Sequence, residues 1–285
     1  MLAGLAQPSF HKNRFGILIV SHPVVLIHGM WCTSASLSRL AASLRARGFE
    51  CHVPDLPAHE AGVRHEEVGS LSLLDYVRYL EQYVAGRRFR QPPILVGHSM
   101  GGLLAQLLAP RVDAFALVLL TPASPAGINA VRLRPLLAFS SVLGRPGFWR
   151  KPQKPSLARA RTSVFNGLPP PKQNELHSGM VEESGRAVFE IAFWQLDRKH
   201  ASRVDPAAVR CPVYVVAAGQ DHLVPAAVAR KVAARYARSA LRYYPGRGHW
   251  VIDDGETDEM AGEIAGWLLP YEQRAARGLP MRTWA

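Results

Sequence analysis

Short apolar runs alternate with longer amphipathic stretches along most of this chain. A few consecutive apolar residues, bounded by glycine, proline or polar residues, are typical of a strand buried on both faces of a sheet. Strands of this kind are predicted at residues 24–27, 49–54, 94–96, 115–120, 213–216 and 241–244.

The stretches between these runs repeat their apolar residues with the spacing of a helix. Helices are predicted at residues 36–47, 73–85, 100–109, 226–237 and 257–269. Ser72 is a suitable N-cap for the second helix, while Gly48, Gly86 and Pro110 end the first three. Strands that alternate with helices predict an α/β fold with a mostly parallel sheet flanked by helices.

The region between Leu120 and Val213 departs from this alternation. It contains no comparable strand, and we interpret residues 166–171 as a loop and residues 184–194 as a helix. An insertion of this size between two sheet strands is typical of a lid or cap. The sequence therefore predicts an α/β core at residues 1–120 and 212–285, with a largely helical cap at residues 121–211.

The predicted cap also carries much of the positive charge. Lys and Arg number 34 and Asp and Glu 22, a net charge of +12, yet residues 114–174 contain no acidic residue. The basic residues of that stretch are Arg132, Arg134, Arg145, Arg150, Lys151, Lys154, Arg159, Arg161 and Lys172.

Two interpretations of this charge stay open. It is consistent with an ordinary solvated surface, and equally with attraction of an anionic substrate, an acidic carrier protein or a phospholipid membrane surface. A coenzyme A thioester is one substrate of that kind. Nucleic acid is not expected as a partner, because no recognition motif or aromatic-interleaved basic stripe accompanies the charge.

Composition narrows the class of protein further. With 285 residues, 48% of them apolar, the chain is predicted to form one large or two small domains and not to be disordered. Cys32, Cys51 and Cys211 are odd in number and far apart, which argues against a disulfide framework. Neither a secretory leader pattern nor a run of about 20 apolar residues is present. We therefore expect a reducing, cytoplasmic location.

One motif gives the strongest chemical signal. Gly97-His98-Ser99-Met100-Gly101 matches the pattern G-x-S-x-G between a predicted strand and a predicted helix. The two glycines leave room for a sharp turn, which would present the Ser99 hydroxyl beside the positive end of the helix. We therefore predict Ser99 as a nucleophile. A glycine-rich turn that only follows a buried strand is the structural alternative.

A nucleophilic serine needs a base, and that base needs an acid to orient it. His249 and Asp221 each follow a predicted strand, at the carboxyl ends where α/β sheets hold their sites. The alternative for His249 is a loop histidine without a role, and His98 is interpreted as local packing. Three other aspartates remain as substitutes for Asp221: Asp197, Asp205 and Asp253.

Two backbone N–H groups are predicted to bind the oxyanion that forms when a serine attacks a carbonyl. One belongs to Met100, the residue after the nucleophile, and the other to Met30, in the loop after the first strand. Gly29 allows the backbone to turn there. Cys32 is close in sequence, but it has no base of its own and is interpreted as lining.

Four segments of the chain together resemble the signature segments of the α/β-hydrolase superfamily. They are Val24-Val25-Leu26-Ile27-His28-Gly29, Gly97-His98-Ser99-Met100-Gly101-Gly102, Ala218-Gly219-Gln220-Asp221-His222-Leu223-Val224-Pro225 and Gly246-Arg247-Gly248-His249. They are most similar to its serine esterase, lysophospholipase and monoacylglycerol-lipase-like branch. The resemblance spans about residues 23–120 and 212–269. It implies an α/β-hydrolase fold, with His28, Gly29, Gly97 and Gly101 supporting the turns around the site, and a shortened or missing first hairpin.

Residues and resemblance together predict a serine hydrolase that cleaves a carboxylic ester or thioester through an acyl-enzyme on Ser99. Epoxide and haloalkane hydrolases are not expected, since they place an aspartate at the position of Ser99. An acyltransferase or cyclising enzyme with the same triad is one alternative, and a non-catalytic ligand-binding protein of the same fold is another. No metal-binding or nucleotide-binding motif is present, so no cofactor is expected.

Overall fold

A parallel sheet forms the centre of the protein. The computed structural model describes residues 22–60, 66–129 and 146–278. The strands of the described ranges are β1 (Val24–Ile27), β2 (Cys51–His52), β3 (Ile94–His98), β4 (Ala116–Leu120), β5 (Pro152–Gln153), β6 (Glu183–Ser184), β7 (Val213–Ala218) and β8 (Ser239–Tyr244). Six of these strands form the central sheet in the order β2-β1-β3-β4-β7-β8, and every neighbouring pair among them is parallel.

Helices flank this sheet. The α-helices of the described ranges are α1 (Ser38–Arg45), α2 (Leu73–Arg87), α3 (Met100–Leu108), α4 (Leu157–Thr162), α5 (Pro170–Ser178), α6 (Gly185–Ala192), α7 (Ala226–Ala233) and α8 (Thr257–Ala276). Shorter 3-10 helices lie at Ser34–Leu37, Glu66–Ser70 and Phe148–Arg150. Helix α1 packs against α8, and α2 packs against α3. The predicted fold class, a mostly parallel sheet flanked by helices, is confirmed.

The burial of each strand follows from its composition. Every residue of β1, β3, β4 and β7 is buried, because these apolar runs face helices on both sides of the sheet. Strand β8 lies at the edge of the sheet and leaves most of its residues exposed or half-buried. Helix α2 begins where predicted, since Ser72 caps it and Asp75 Oδ2 accepts from the Ser72 N–H at 2.9 Å.

Residues 121–211 follow β4 and precede β7. Their described part contains helices α4, α5 and α6 together with the short antiparallel pair of β5 and β6, in which Gln153 lies opposite Glu183. The stretch 166–171 is not wholly a loop, because α5 begins at Pro170. Proline is tolerated there, since the first N–H groups of a helix have no partner within the helix.

Several other predicted elements have different lengths in the structure, among them the second strand and the last helix. The second strand is confined to Cys51 and His52, which pair with Val24 and Val25 of β1. Helix α8 runs on through Pro270, because an interior proline removes only one backbone donor from a long helix that packs against α1. The first hairpin concerns residues outside the described ranges. No helix within those ranges is both long and apolar enough to cross a bilayer.

Candidate active site

Ser99 lies on a sharp turn between β3 and α3. Its φ angle is 55°, in the left-handed region that residues with a side chain rarely adopt. A Cβ at position 97 would collide with the carbonyl group of Gly101, and a Cβ at position 101 would collide with the carbonyl oxygen of Ile27. The two glycines of the motif therefore permit the turn that holds Ser99 at the N-terminus of α3.

The loop after β1 lies directly beside this turn. A Cβ at position 29 would stand 3.1 Å from the Cβ of Ser99, so only glycine allows the approach without displacement. The backbone turns immediately afterwards at Trp31, whose φ is 63°. The loop that contains Met30 therefore adjoins Ser99, as an oxyanion hole requires. The roles of the Met30 and Met100 amides stay predictions.

His249 and Asp221 form a buried hydrogen-bonded pair. The distance from His249 Nδ1 to Asp221 Oδ2 is 2.7 Å, and both side chains are buried. The other carboxylate oxygen accepts from the N–H groups of Leu223 and Val224, at 2.8 and 2.7 Å. Because a carboxylate only accepts hydrogen bonds, the neutral His249 ring carries its proton on Nδ1. Its Nε2 is then free to accept a proton.

Two neighbours of Ser99 hold the backbone of His249. His98 Nε2 donates to the carbonyl oxygen of His249 at 3.0 Å, and Thr121 Oγ1 donates to the same oxygen at 3.2 Å. The Ser99 N–H in turn donates to Leu120 O at 3.0 Å. Burial, and secondarily the neighbouring His249, lowers the pKa of His98 to about 3, so this ring stays neutral. The structure thus connects the serine turn to the histidine loop.

The three substitutes considered for Asp221 have other partners. Asp197 Oδ1 accepts from Arg186 at 3.0 Å, and Asp205 Oδ1 accepts from the Ala207 N–H at 3.0 Å. Asp253 forms an ion pair with Lys172 at 2.8 Å. Asp221 is thus the aspartate that the structure brings to His249.

Cys32 is an inert thiol in this environment. Its Sγ donates to Met30 O at 3.2 Å, and burial raises its pKa to about 12. Because the thiolate is the reactive form of cysteine, Cys32 is not activated as a nucleophile at neutral pH.

Residues from the 121–211 segment contact the loops that follow β1, β7 and β8. The Val181 N–H donates to Trp31 O at 2.9 Å, and Asn166 Nδ2 donates to Gln220 O at 2.6 Å. The ring of Phe165 packs edge-on against Trp250, with 5.0 Å between centroids. The segment therefore lies over the carboxyl ends of the strands, next to Ser99, Asp221 and His249.

A buried ion pair joins this segment to the core. His59 faces an acceptor at each ring nitrogen, since Nδ1 lies 2.9 Å from Pro57 O and Nε2 lies 3.1 Å from Glu183 Oε2. Only the doubly protonated ring donates to both, so His59 is an imidazolium. Glu183 Oε1 also accepts from Tyr76 Oη at 2.7 Å and from the Ser184 N–H at 2.6 Å. Both carboxylate oxygens of Glu183 thus have protein partners.

The pKa values of this pair follow from two opposed causes. Burial disfavours both charges, but the attraction between the two side chains and the hydrogen bonds to Pro57, Tyr76 and Ser184 together outweigh it. The pKa of His59 is therefore raised and that of Glu183 is lowered. The neighbouring His28 accepts from the Leu56 N–H through Nε2 and is neutral. Burial, and then the charge of His59, lowers the pKa of His28 to about 4. These residues support the loop that carries Gly29.

The described ranges contain no group of three or more His, Cys, Asp or Glu side chains that could hold a metal ion. The described residues bring the Ser99 hydroxyl, the His249 imidazole and the Asp221 carboxylate to the same end of the sheet.

Residues 24–263 match the model of the alpha/beta hydrolase family. The chain belongs to that family. The match includes β1, the Ser99 turn, Asp221 and His249, so it contains all four of the segments that carry the resemblance seen in the sequence.

Individual relatives agree with the family assignment. A monoacylglycerol lipase of Mycolicibacterium smegmatis is 26% identical over 268 residues, which cover 87% of this chain and 88% of the relative. A pyrethroid hydrolase of Sphingobium wenxiniae is 36% identical over 89 residues, or 30% of each protein. The crystal structure of a Paleococcus ferrophilus monoacylglycerol lipase is 21% identical with a TM-score of 0.61, covering 88% of this chain and 96% of that one. The chain is a hydrolytic enzyme of the alpha/beta hydrolase fold.

Proposed function

We propose that this enzyme is a serine hydrolase that cleaves carboxylic esters or thioesters. The observation that carries the proposal is the buried hydrogen bond between His249 and Asp221. The carbonyl of His249 in turn accepts from His98, which precedes Ser99, and from Thr121. The names of the relatives support ester hydrolysis, because they include a monoacylglycerol lipase and a probable esterase found in two subspecies of Oryza sativa. A thioester differs from an ester only in its leaving group and uses the same acyl chemistry.

In the proposed reaction, Ser99 Oγ attacks the carbonyl carbon while His249 Nε2 takes the hydroxyl proton. Asp221 holds His249 in the required tautomer, and the amides of Met30 and Met100 bind the tetrahedral oxyanion. Collapse of this intermediate breaks the bond to the alcohol or thiol, which leaves with the proton from His249. Water then attacks the carbonyl carbon of the acyl-enzyme while His249 takes its proton. Collapse of this second intermediate breaks the bond to Ser99 Oγ, which receives the proton from His249, and the carboxylic acid departs.

A fluorophosphonate probe tests the proposal against the non-catalytic alternative. An activated serine is expected to react covalently and one probe to attach per protein, at the peptide that contains Ser99. Protein unfolded in urea provides the control, because an isolated serine hydroxyl is a weak nucleophile. A folded protein that stays unmodified would indicate a ligand-binding protein that retains the fold.

The basic residues of the 121–211 segment support a further part of the proposal, a preference for anionic acyl substrates. The structure reduces the number of free charges, since Lys172 pairs with Asp253 and Glu175 at 2.8 and 3.0 Å. Lys154 Nζ donates to Met180 O at 2.6 Å. Arg150 and Lys151 remain exposed. Arg132, Arg134 and Arg145 lie outside the described ranges.

We expect kcat/KM for an anionic ester to fall severalfold as salt rises, while a neutral p-nitrophenyl ester changes little. Salt reduces the effect because it screens charges over a Debye length of about 8 Å at physiological ionic strength. The double substitution Arg150→Gln and Lys151→Gln is expected to weaken the salt dependence, and substitution of the exposed Arg90 and Lys231 elsewhere is not. Equal salt curves for both substrates in the unaltered enzyme would make these charges an ordinary solvated surface.

A further inference from the structure

An apolar surface hollow lies on the 121–211 segment. Among the described residues, four large apolar side chains are strongly exposed, and two of them, Trp149 (40% exposed) and Leu196 (69%), line this hollow together. Phe189 forms part of its floor, and the hollow has a volume of about 360 Å³. Exposing a tryptophan and a leucine side by side is costly in water, so the surface is expected to be covered in use.

Positive charge surrounds the apolar residues. Arg198 and Lys199 line the hollow and are exposed, and Arg150 and Lys151 directly follow Trp149 in the chain. The described residues that line the hollow include a single acid, Asp197, which is buried. Asp197 accepts from Arg186 at 3.0 Å, so it does not neutralise the other cations.

The combination of these side chains determines which partner fits. Trp and Leu enter the boundary between lipid headgroups and acyl chains, while Lys and Arg remain at the level of anionic headgroups. A stable protein–protein interface requires about 800 Å² from each partner, far more than a hollow lined by a few side chains provides.

We propose that the surface formed by Trp149, Phe189, Leu196, Arg198 and Lys199 docks the enzyme on an anionic phospholipid bilayer. None of these residues belongs to the proposed triad, so the inference is independent of the catalytic proposal. Docking requires no spanning helix, because a few apolar side chains and a basic rim suffice for reversible adsorption.

Sedimentation with lipid vesicles tests this inference on the full chain. Vesicles that mix phosphatidylcholine with phosphatidylglycerol are expected to bind the enzyme at low salt, and vesicles of phosphatidylcholine alone to bind it much less. Leu196→Ser, and separately Arg198→Gln with Lys199→Gln, are each expected to weaken binding by about tenfold or more. Leu241→Ser is the matched control, since Leu241 is 43% exposed but lies on the edge strand β8.

Turnover of a neutral p-nitrophenyl ester without vesicles is expected to be unchanged in all of these variants, which confirms that they are folded. Absence of binding to anionic vesicles, or equal weakening by Leu241→Ser, would overturn the inference. Sedimentation velocity tests the other possible occupant of the surface, a second copy of the chain. A dimer of the unaltered enzyme that Leu196→Ser converts to a monomer would assign the surface to contact between two copies of the chain.

Discussion

Replacing Ser99 with alanine is expected to lower kcat for ester hydrolysis by about 10⁶ and to leave the fold intact. Loss of the nucleophile has an effect of that size in a well-studied serine protease. The substitution removes only the hydroxyl oxygen, and the backbone bonds from the Ser99 N–H to Leu120 O and from the Ala123 N–H to Ser99 O remain. Steady-state rates with a p-nitrophenyl ester and thermal unfolding of the same sample provide the measurement.

Cys32→Ala is the matched control for this prediction. It also removes one heavy atom from a buried side chain close to the site, but from a thiol whose raised pKa keeps it protonated. We expect this variant to keep most of its activity. Retention of more than about one per cent of kcat by Ser99→Ala would contradict the assignment, because the background rate without the nucleophile lies far lower.

Replacing Asp221 with asparagine is expected to lower kcat by about 10⁴, the effect that the wrong histidine tautomer has in a serine protease. The N–H groups of Leu223 and Val224 both donate to Asp221 Oδ1. An asparagine must therefore turn its oxygen toward them and its NH₂ group toward His249 Nδ1. Nδ1 then has to accept, the proton moves to Nε2, and His249 can no longer take a proton from Ser99.

Asp253→Asn and Asp197→Asn serve as the comparison for Asp221→Asn. Both aspartates pair with cations of the 121–211 segment, Lys172 and Arg186 respectively. Their loss should reduce stability more than kcat, as measured by urea unfolding beside steady-state rates. Normal turnover in Asp221→Asn, together with loss of turnover in one of the other two variants, would contradict the assignment of Asp221. It would indicate that the other aspartate orients His249.

The fold could be predicted because its elements depend on local patterns. The apolar runs of β1, β3, β4 and β7 stand out in the sequence, since strands buried on both faces need no polar alternation. The start of α5 at Pro170 is harder to predict from the sequence. A run of three prolines indicates a loop, yet the first turn of a helix accepts proline as readily.

Some residues around the site can be predicted from local patterns of the sequence, and others cannot. Ser99, Asp221 and His249 can be predicted as site residues because strand ends and short motifs mark them in the sequence. The hydrogen bond from His98 to His249 O joins residues 151 positions apart, and the one between His59 and Glu183 joins residues 124 apart. Such pairings depend on the packing of the 121–211 segment onto the core, which no local pattern of this sequence encodes. The sequence therefore indicates only local packing for His98, whereas the structure shows its hydrogen bond to His249 O.

Trapping the acyl-enzyme tests the central claim most directly. The enzyme is mixed with a p-nitrophenyl ester, quenched with acid during the first turnover, digested and examined by mass spectrometry. We expect the acyl group to be attached to Ser99, and the Asp221→Asn variant to acquire it far more slowly. An acyl group on another side chain, or nitrophenol release without any acylated Ser99, would contradict the claim.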